Sequence, residues 1–206
     1  MKFIFLVLSM LLAGNVQAQD SEPKTILFFG DSITAGLGVN KSQAFPALIQ
    51  KKIDSLGWNY EVINGGLSGE TSAGGLRRID WVLQREIDVM VLELGGNDGL
   101  RGIELSSTKQ NLQQIIDKVQ AKYPEVQIIL AGMQVPPNLG QEYTREFQTI
   151  YPELAEENDL PLIPMIMDKL GGDEDLMQSD GIHPTPKGHR VIAETIWERL
   201  KPMLTE

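Results

Sequence analysis

The chain has 206 residues, 42% of them hydrophobic and 22% charged, a composition that excludes a disordered, collagen-like or coiled-coil protein. A length of this order suits one domain with a full hydrophobic core. With 18 basic and 28 acidic side chains the formal net charge is −10, which repels nucleic-acid phosphates and anionic lipid head groups alike. There is no cysteine, so disulfides, zinc–thiolate sites, iron–sulfur clusters and a cysteine nucleophile are excluded together.

Residues 1–18 read as a secretory signal peptide. Lys2 precedes the apolar run Phe3–Ala13, and Val16-Gln17-Ala18 places a small residue at a cleavage position. That run is well short of the ~20 apolar residues a spanning helix needs. Removing these residues leaves 17 basic against 28 acidic side chains, a net charge of −11. The mature chain, residues 19–206, is expected to be one domain with no membrane-spanning segment. It is expected to be exported, to the periplasm or by secretion.

Along the mature chain, short apolar runs alternate with helical patterns. Thr25–Phe29 reads as a strand. Phe45–Leu56 reads as a helix carrying Leu48, Ile49, Ile53 and Leu56, with Gly57 as its C-cap. Tyr60–Ile63 is a strand, Leu76–Leu83 a helix and Ile87–Leu94 a strand. Ser107–Ala121 places Leu112, Ile115, Ile116 and Val119 on one helical stripe. After the strand Val126–Ala131, Glu142–Glu157 does the same with Phe147, Ile150, Tyr151 and Leu154. Leu160–Ile163 is the last strand. The final helix begins at Pro186 behind Thr185 as N-cap and carries Val191, Ile192, Ile196, Leu200 and Met203. This alternation predicts an α/β fold, a parallel sheet of about five strands with helices on both faces.

In such sheets ligands meet the carboxyl ends of the strands. The segments expected there are polar and glycine-rich: Gly30-Asp31-Ser32-Ile33, Asn64–Thr71, Gly95-Gly96-Asn97-Asp98 and Asp180–Pro184. The chain has two histidines, His183 and His189. His189 falls inside the last helix and reads as structural. Asp180 stands three residues before His183, a spacing that lets a carboxylate reach Nδ1 and leaves Nε2 free to take a proton from a hydroxyl. The same pair also suits an exposed turn histidine with a capping acid. Ser32 follows a strand and a glycine, where its hydroxyl can be nucleophile or helix N-cap; Asp31 can cap as well. Gly69 and Asn97 can offer a backbone N–H and a side-chain amide to a developing oxyanion, or can be turn residues. No Gly-x-Ser-x-Gly elbow is present, which disfavours the α/β-hydrolase arrangement.

These four blocks, in this order and spacing, resemble the SGNH (GDSL-type) hydrolases. The likeness is greatest to the bacterial branch described as multifunctional acyl-CoA thioesterase I, lysophospholipase L1 and arylesterase. It extends from about Lys24 to Leu204 and includes Gly95–Gly102 (GGNDGLRG) and Met177–Pro184 (MQSDGIHP). Ile33 stands where the block name has leucine. The resemblance implies a three-layer α/β/α sandwich with a flavodoxin-like sheet. It implies Ser32 as nucleophile, His183 as general base and acid, and Asp180 as its orienter. It implies an oxyanion hole from the Ser32 and Gly69 N–H groups and the Asn97 amide, with no cofactor and no metal.

The expected chemistry is hydrolysis of carboxylic esters or thioesters through an acyl-enzyme on Ser32. Leu100, Ile103, Met133, Val135, Pro136 and Leu139 are candidates for an acyl groove, as are Ile166, Met167 and Leu170; ordinary packing under loops is the competing reading. The acidic surface does not steer anions, so neutral esters, aryl esters or lysophospholipids are better expected substrates than CoA thioesters. A carbohydrate acetylesterase of the same superfamily is the alternative. A flavodoxin-like binding module lacks a phosphate-cradling loop here, and a metal hydrolase built on Asp180, His183 and His189 lacks a helical His pair. The expected state is a monomer without nucleic-acid partners.

Overall fold

The central strand β1 (Lys24–Gly30) is apolar on successive residues because both of its faces are covered: Ile26, Leu27, Phe28 and Phe29 are each at most 1% exposed. In the computed structural model, which describes residues 22–136, 139–171 and 173–204, it is flanked by β2 (Tyr60–Asn64) and β3 (Val89–Glu93). β4 (Gln127–Ala131) and the two-residue β5 (Leu162–Ile163) complete a five-stranded sheet in the order β2-β1-β3-β4-β5, parallel throughout. The expected signal peptide lies outside the described residues.

Helices follow the strands: α1 (Ser32–Ala35) and α2 (Phe45–Leu56) lead to β2, and α3 (Ser72–Val82) leads to β3. α4 (Gly96–Leu100) and α5 (Leu105–Lys122) lead to β4, α6 (Gln141–Asn158) to β5, and α7 (Pro186–Leu200) closes the fold. The step from β1 to β2 runs one way across the sheet and every later step the other. Right-handed crossovers therefore place α2 on one face and α3, α5 and α6 on the opposite face. α7 packs beside α2, and α3, α5 and α6 pack against one another in a row, which gives three layers.

The helix ends follow local chemistry. α2 stops at Gly57, which takes the left-handed conformation at φ 69° and donates to the Asp54 and Ile53 carbonyls. α7 starts behind Thr185, whose hydroxyl accepts from the Gly188 N–H, and Pro186 occupies the first turn. α3 begins at Ser72 rather than Leu76 because Thr71 caps it. α5 and α6 run one to two residues beyond the periodic stripe at each end, as α-helices commonly do. The short helices α1 and α4 fall on the glycine-rich blocks, where hydrophobic periodicity gives no signal. Among the described residues, no helix is long and apolar enough to cross a membrane.

The strand order reverses at β1. The crevice beyond the carboxyl ends of β1 and β3 is therefore the switch point where open α/β sheets place ligands.

Candidate active site

Gly30 at the end of β1 pairs with Glu93 at the end of β3, so the segments leaving the sheet there start side by side. One carries Asp31 and Ser32, the other Gly96 and Asn97. A side chain at residue 30 would run into the Thr34 hydroxyl and the Glu93 carboxyl, which is why glycine is needed there. Asp31, not Ser32, caps α1: its Oδ1 accepts from the Ile33 N–H at 3.0 Å. That leaves the Ser32 hydroxyl uncommitted to the helix.

His183 is delivered from the far end of the chain by a stapled turn. Met177 and Pro184 form an antiparallel bridge, and the Gln178 N–H donates to the His183 carbonyl at 2.7 Å. The Gln178 side-chain amide donates to the carbonyls of Leu37 (2.7 Å) and Pro184 (2.9 Å), tying this turn to the segment behind α1. Within the turn, Asp180 Oδ1 accepts from the N–H groups of Ile182 (2.9 Å) and His183 (3.0 Å). Asp180 Oδ2 lies 2.6 Å from His183 Nδ1, and His183 Nε2 lies 2.9 Å from Ser32 Oγ. The His183 backbone N–H, its ring and the Ile182 N–H hold the Asp180 carboxyl down to a pKa of about 2, so it is ionised at every working pH. An ionised Asp180 keeps the proton on Nδ1 and leaves Nε2 basic toward Ser32.

Asn97 lies in α4, partly exposed, and its Nδ2 donates to Asp31 Oδ2 at 3.0 Å. α4 is entered through Gly95 at φ 109°, where a side chain would also press on the Tyr151 hydroxyl. The next residue, Asp98, is buried and accepts from the Ser72 N–H (2.7 Å) and hydroxyl (2.5 Å), which locks α4 to α3. The Gly69 loop runs over the end of β1: the Gly65 N–H donates to the Phe28 carbonyl at 2.7 Å and the Leu67 N–H to the Gly30 carbonyl at 3.0 Å. Gly69 itself has φ 78°, and its carbonyl accepts from Arg101 Nη2 at 2.8 Å.

A groove of about 1080 Å³ opens over Ser32, Asn97 and His183. Of the residues expected to bind an acyl chain, Leu100, Met133, Val135 and Pro136 line it, as do Met167 and Leu170. Ile103 and Leu139 do not. Ile103 is half-buried beside Tyr143, whose hydroxyl donates to its carbonyl, and Leu139 is turned to solvent. Ile166 belongs to the core. Gly69 is not among the lining residues. Met177 and Ile182 complete the apolar wall, and Asp173 and Glu174 stand at its acidic end.

His189 takes no part. It is buried in α7, where its Nδ1 accepts from the Phe45 N–H at 3.3 Å. Among the described residues no cluster of three or more His, Cys, Asp or Glu side chains is set to hold a metal ion.

Residues 28–191 match the model of the GDSL-like lipase/acylhydrolase family. The chain belongs to that family. It is 40% identical to the esterase TesA of Pseudomonas aeruginosa over 97% of this chain and 98% of that one. It is 39% identical to the thioesterase 1/protease 1/lysophospholipase L1 of Escherichia coli K12 over 98% and 92% of the two chains. The crystal structure of TesA superposes with a TM-score of 0.83 at 41% identity, covering 88% of this chain and all of that one. As a family member of the SGNH fold, the protein is a carboxylic ester hydrolase.

Two site residues escape motif reading. Glu93, fully buried at the end of β3, accepts from the Thr34 hydroxyl at 2.5 Å and from the Asp31 N–H at 3.3 Å. Its signal was an acid behind the apolar run Val89–Leu92 and before Leu94. Asp31 was readable as a cap but not as the partner of Asn97, because their 66-residue separation is closed only by the β1–β3 pairing.

Proposed function

We propose that this chain is an exported serine esterase that hydrolyses acyl esters and thioesters through an acyl-enzyme on Ser32. The observation that carries this reading is the relay from Asp180 through His183 to Ser32, 2.6 and 2.9 Å long, at the mouth of an apolar groove.

His183 Nε2 takes the Ser32 proton as the hydroxyl oxygen attacks the substrate carbonyl. The carbonyl π pair moves onto its oxygen, where the Asn97 amide and the N–H groups of Ser32 and Gly69 stabilise the charge. Collapse expels the alcohol or thiol, which takes the proton from His183. Water then attacks the acyl-enzyme with His183 again as base, and the acid leaves. Asp180 remains ionised and orients the ring.

The groove favours extended acyl chains over small acetyl groups on carbohydrate, since Leu100, Met133, Val135, Met167 and Leu170 form an apolar wall. Asp173 and Glu174 in its lining, with the net charge of −11 of residues 19–206, favour neutral or zwitterionic leaving groups over polyanionic ones. Export rests on the sequence of residues 1–18.

The test is hydrolysis of p-nitrophenyl esters from acetyl to palmitoyl by wild type and Ser32→Ala. The expected result is activity peaking at medium or long chains, with Ser32→Ala folded and inactive. Full activity in Ser32→Ala overturns the nucleophile, and a peak at acetyl favours the carbohydrate acetylesterase. For export, the cell fraction that holds the processed chain decides.

A further inference from the structure

The mechanism leaves two buried acids unused: Asp31, which is bonded to Asn97, and Glu93, which is bonded to Asp31. Asp31 is 2% exposed and Glu93 is fully buried. Each Asp31 oxygen has its own donor: Oδ1 takes the Ile33 N–H at 3.0 Å and Oδ2 takes Asn97 Nδ2 at 3.0 Å. Glu93 Oε2 takes the Thr34 hydroxyl and the Asp31 N–H, while Glu93 Oε1 is buried without a partner. Gly96 lies against this carboxylate: a side chain there would make an ordinary 3.4 Å contact with Asp31 Oδ2 and a tight 3.0 Å contact with Met133 Cε.

A side-chain amide can rotate by half a turn with little change of shape, exchanging its N–H₂ for its carbonyl oxygen. For an oxyanion donor the exchange is ruinous, because the flipped amide presents an oxygen to a developing negative charge. A carboxylate only accepts hydrogen bonds, so it tolerates the amide in one orientation. We propose that Asp31 is the positioning residue of the oxyanion hole, its Oδ2 holding Asn97 with Nδ2 inward so that the remaining N–H serves the oxyanion. This rests on the reading of Asn97 as an oxyanion donor.

The selection works only while Asp31 is charged, and the neighbouring acid makes that so. Two adjoining carboxyls in a dry site do not both ionise. Asp31 has donors on both oxygens and Glu93 does not, so the charge resides on Asp31 and the proton on Glu93. Burial, then the Asp31 charge, pushes Glu93 well above the usual carboxylate range. Burial raises Asp31 as well, opposed first by the hydrogen bond from the Ile33 N–H and then by those of its other partners and the His183 charge. Capping α1 uses Oδ1 and holding Asn97 uses Oδ2, so the two duties separate by mutation.

The experiment is a double-mutant cycle of Asp31→Asn and Asn97→Ala on p-nitrophenyl butyrate hydrolysis, with Tm measured for each variant. Asp31→Asn lets either amide orientation pair and is expected to lower kcat by about 10- to 100-fold with KM within threefold, a fraction of the 10²–10³ that a lost oxyanion donor costs. In the Asn97→Ala background the same substitution is expected to lower kcat by less than threefold. Asp31→Ser keeps a cap for Ile33 but cannot reach Asn97, and should match Asp31→Asn if the latter folds poorly. Equal losses in both backgrounds, or an unchanged kcat in the single variants at position 31, overturn the proposal while leaving the esterase mechanism standing. Wild-type kcat in Asn97→Ala overturns the oxyanion reading itself, and the proposal with it.

Discussion

Arg78 of α3 grips Glu70 through both carboxylate oxygens, directly beneath the loop that carries Gly69. The same guanidinium lies 4.0 Å over the Phe29 ring and donates to the Gly65 carbonyl at 2.8 Å. One side chain thus ties both ends of the loop to the helix and to the central strand. The planar fork of arginine suits this where a lysine ammonium would not.

Removing one partner strands the other, since the Glu70 and Arg78 side chains are only 4% and 21% exposed. Glu70→Ala is expected to destabilise the fold by about 3 kcal/mol, and to lower kcat as the Gly69 loop loosens. Arg78→Lys should show a smaller loss of both. Urea denaturation alongside p-nitrophenyl butyrate kinetics checks this. A large stability loss with unchanged kcat would separate the clamp from catalysis.

Asp180→Asn keeps the turn but removes the charge that fixes the proton on Nδ1 of His183. In a buried triad this substitution costs on the order of 10⁴ in kcat. The Asp180 side chain is 46% exposed, so water can partly replace it, and the expected loss is about 10²–10³. Steady-state kinetics with KM within a few-fold of wild type is the expected pattern.

The groove predicts a chain-length slope. Each methylene buried along its wall is worth up to about 0.8 kcal/mol in kcat/KM, roughly fourfold. Met167 is half-buried in that wall. Met167→Glu is expected to flatten the slope, lowering kcat/KM for decanoyl esters about tenfold or more and leaving acetyl esters nearly unaffected. Parallel loss at every chain length would place Met167 outside the acyl path.

His189 makes stability fall on mild acidification. Burial, then the charge of His183, holds its pKa to about 4, against about 6.5 in the unfolded chain. Above pH 7 both states are neutral and the stability is fully present. As pH falls through the window from 6.5 to 4, the unfolded chain binds a proton that the folded chain refuses, and stability drops by up to about 3 kcal/mol. His189→Gln can still accept from the Phe45 N–H and should show a shallower fall between pH 7 and 4.5 in denaturant titrations. An identical fall in the variant would assign the acid sensitivity to other groups.

The alternation of β and α patterns specified the layers, because covered strands and amphipathic helices each leave a period that survives in one dimension. Gly57, Thr185 and Pro186 marked helix ends because capping is a contact between near neighbours in sequence. Asp180 and His183 were legible for the same reason. The Gly30-Asp31-Ser32 and Gly95-Gly96-Asn97 blocks stood out because close turns demand glycine.

What the chain alone left open was everything that depends on distant segments meeting. Ser32 and His183 lie 151 positions apart and touch only because α7 packs beside α2 and Gln178 staples the histidine turn to Leu37. Leu100, Ile103 and Leu139 are apolar residues of similar hydropathy, yet only the first, at the end of α4, lines the groove. Hydropathy ranks a residue's preference for burial, not the surface it meets. The same holds for Asp31 and Glu93, two acids that carry no motif for their pairing. The β1–β3 register alone sets Gly30 beside Glu93 and brings Asp31 within reach of Asn97.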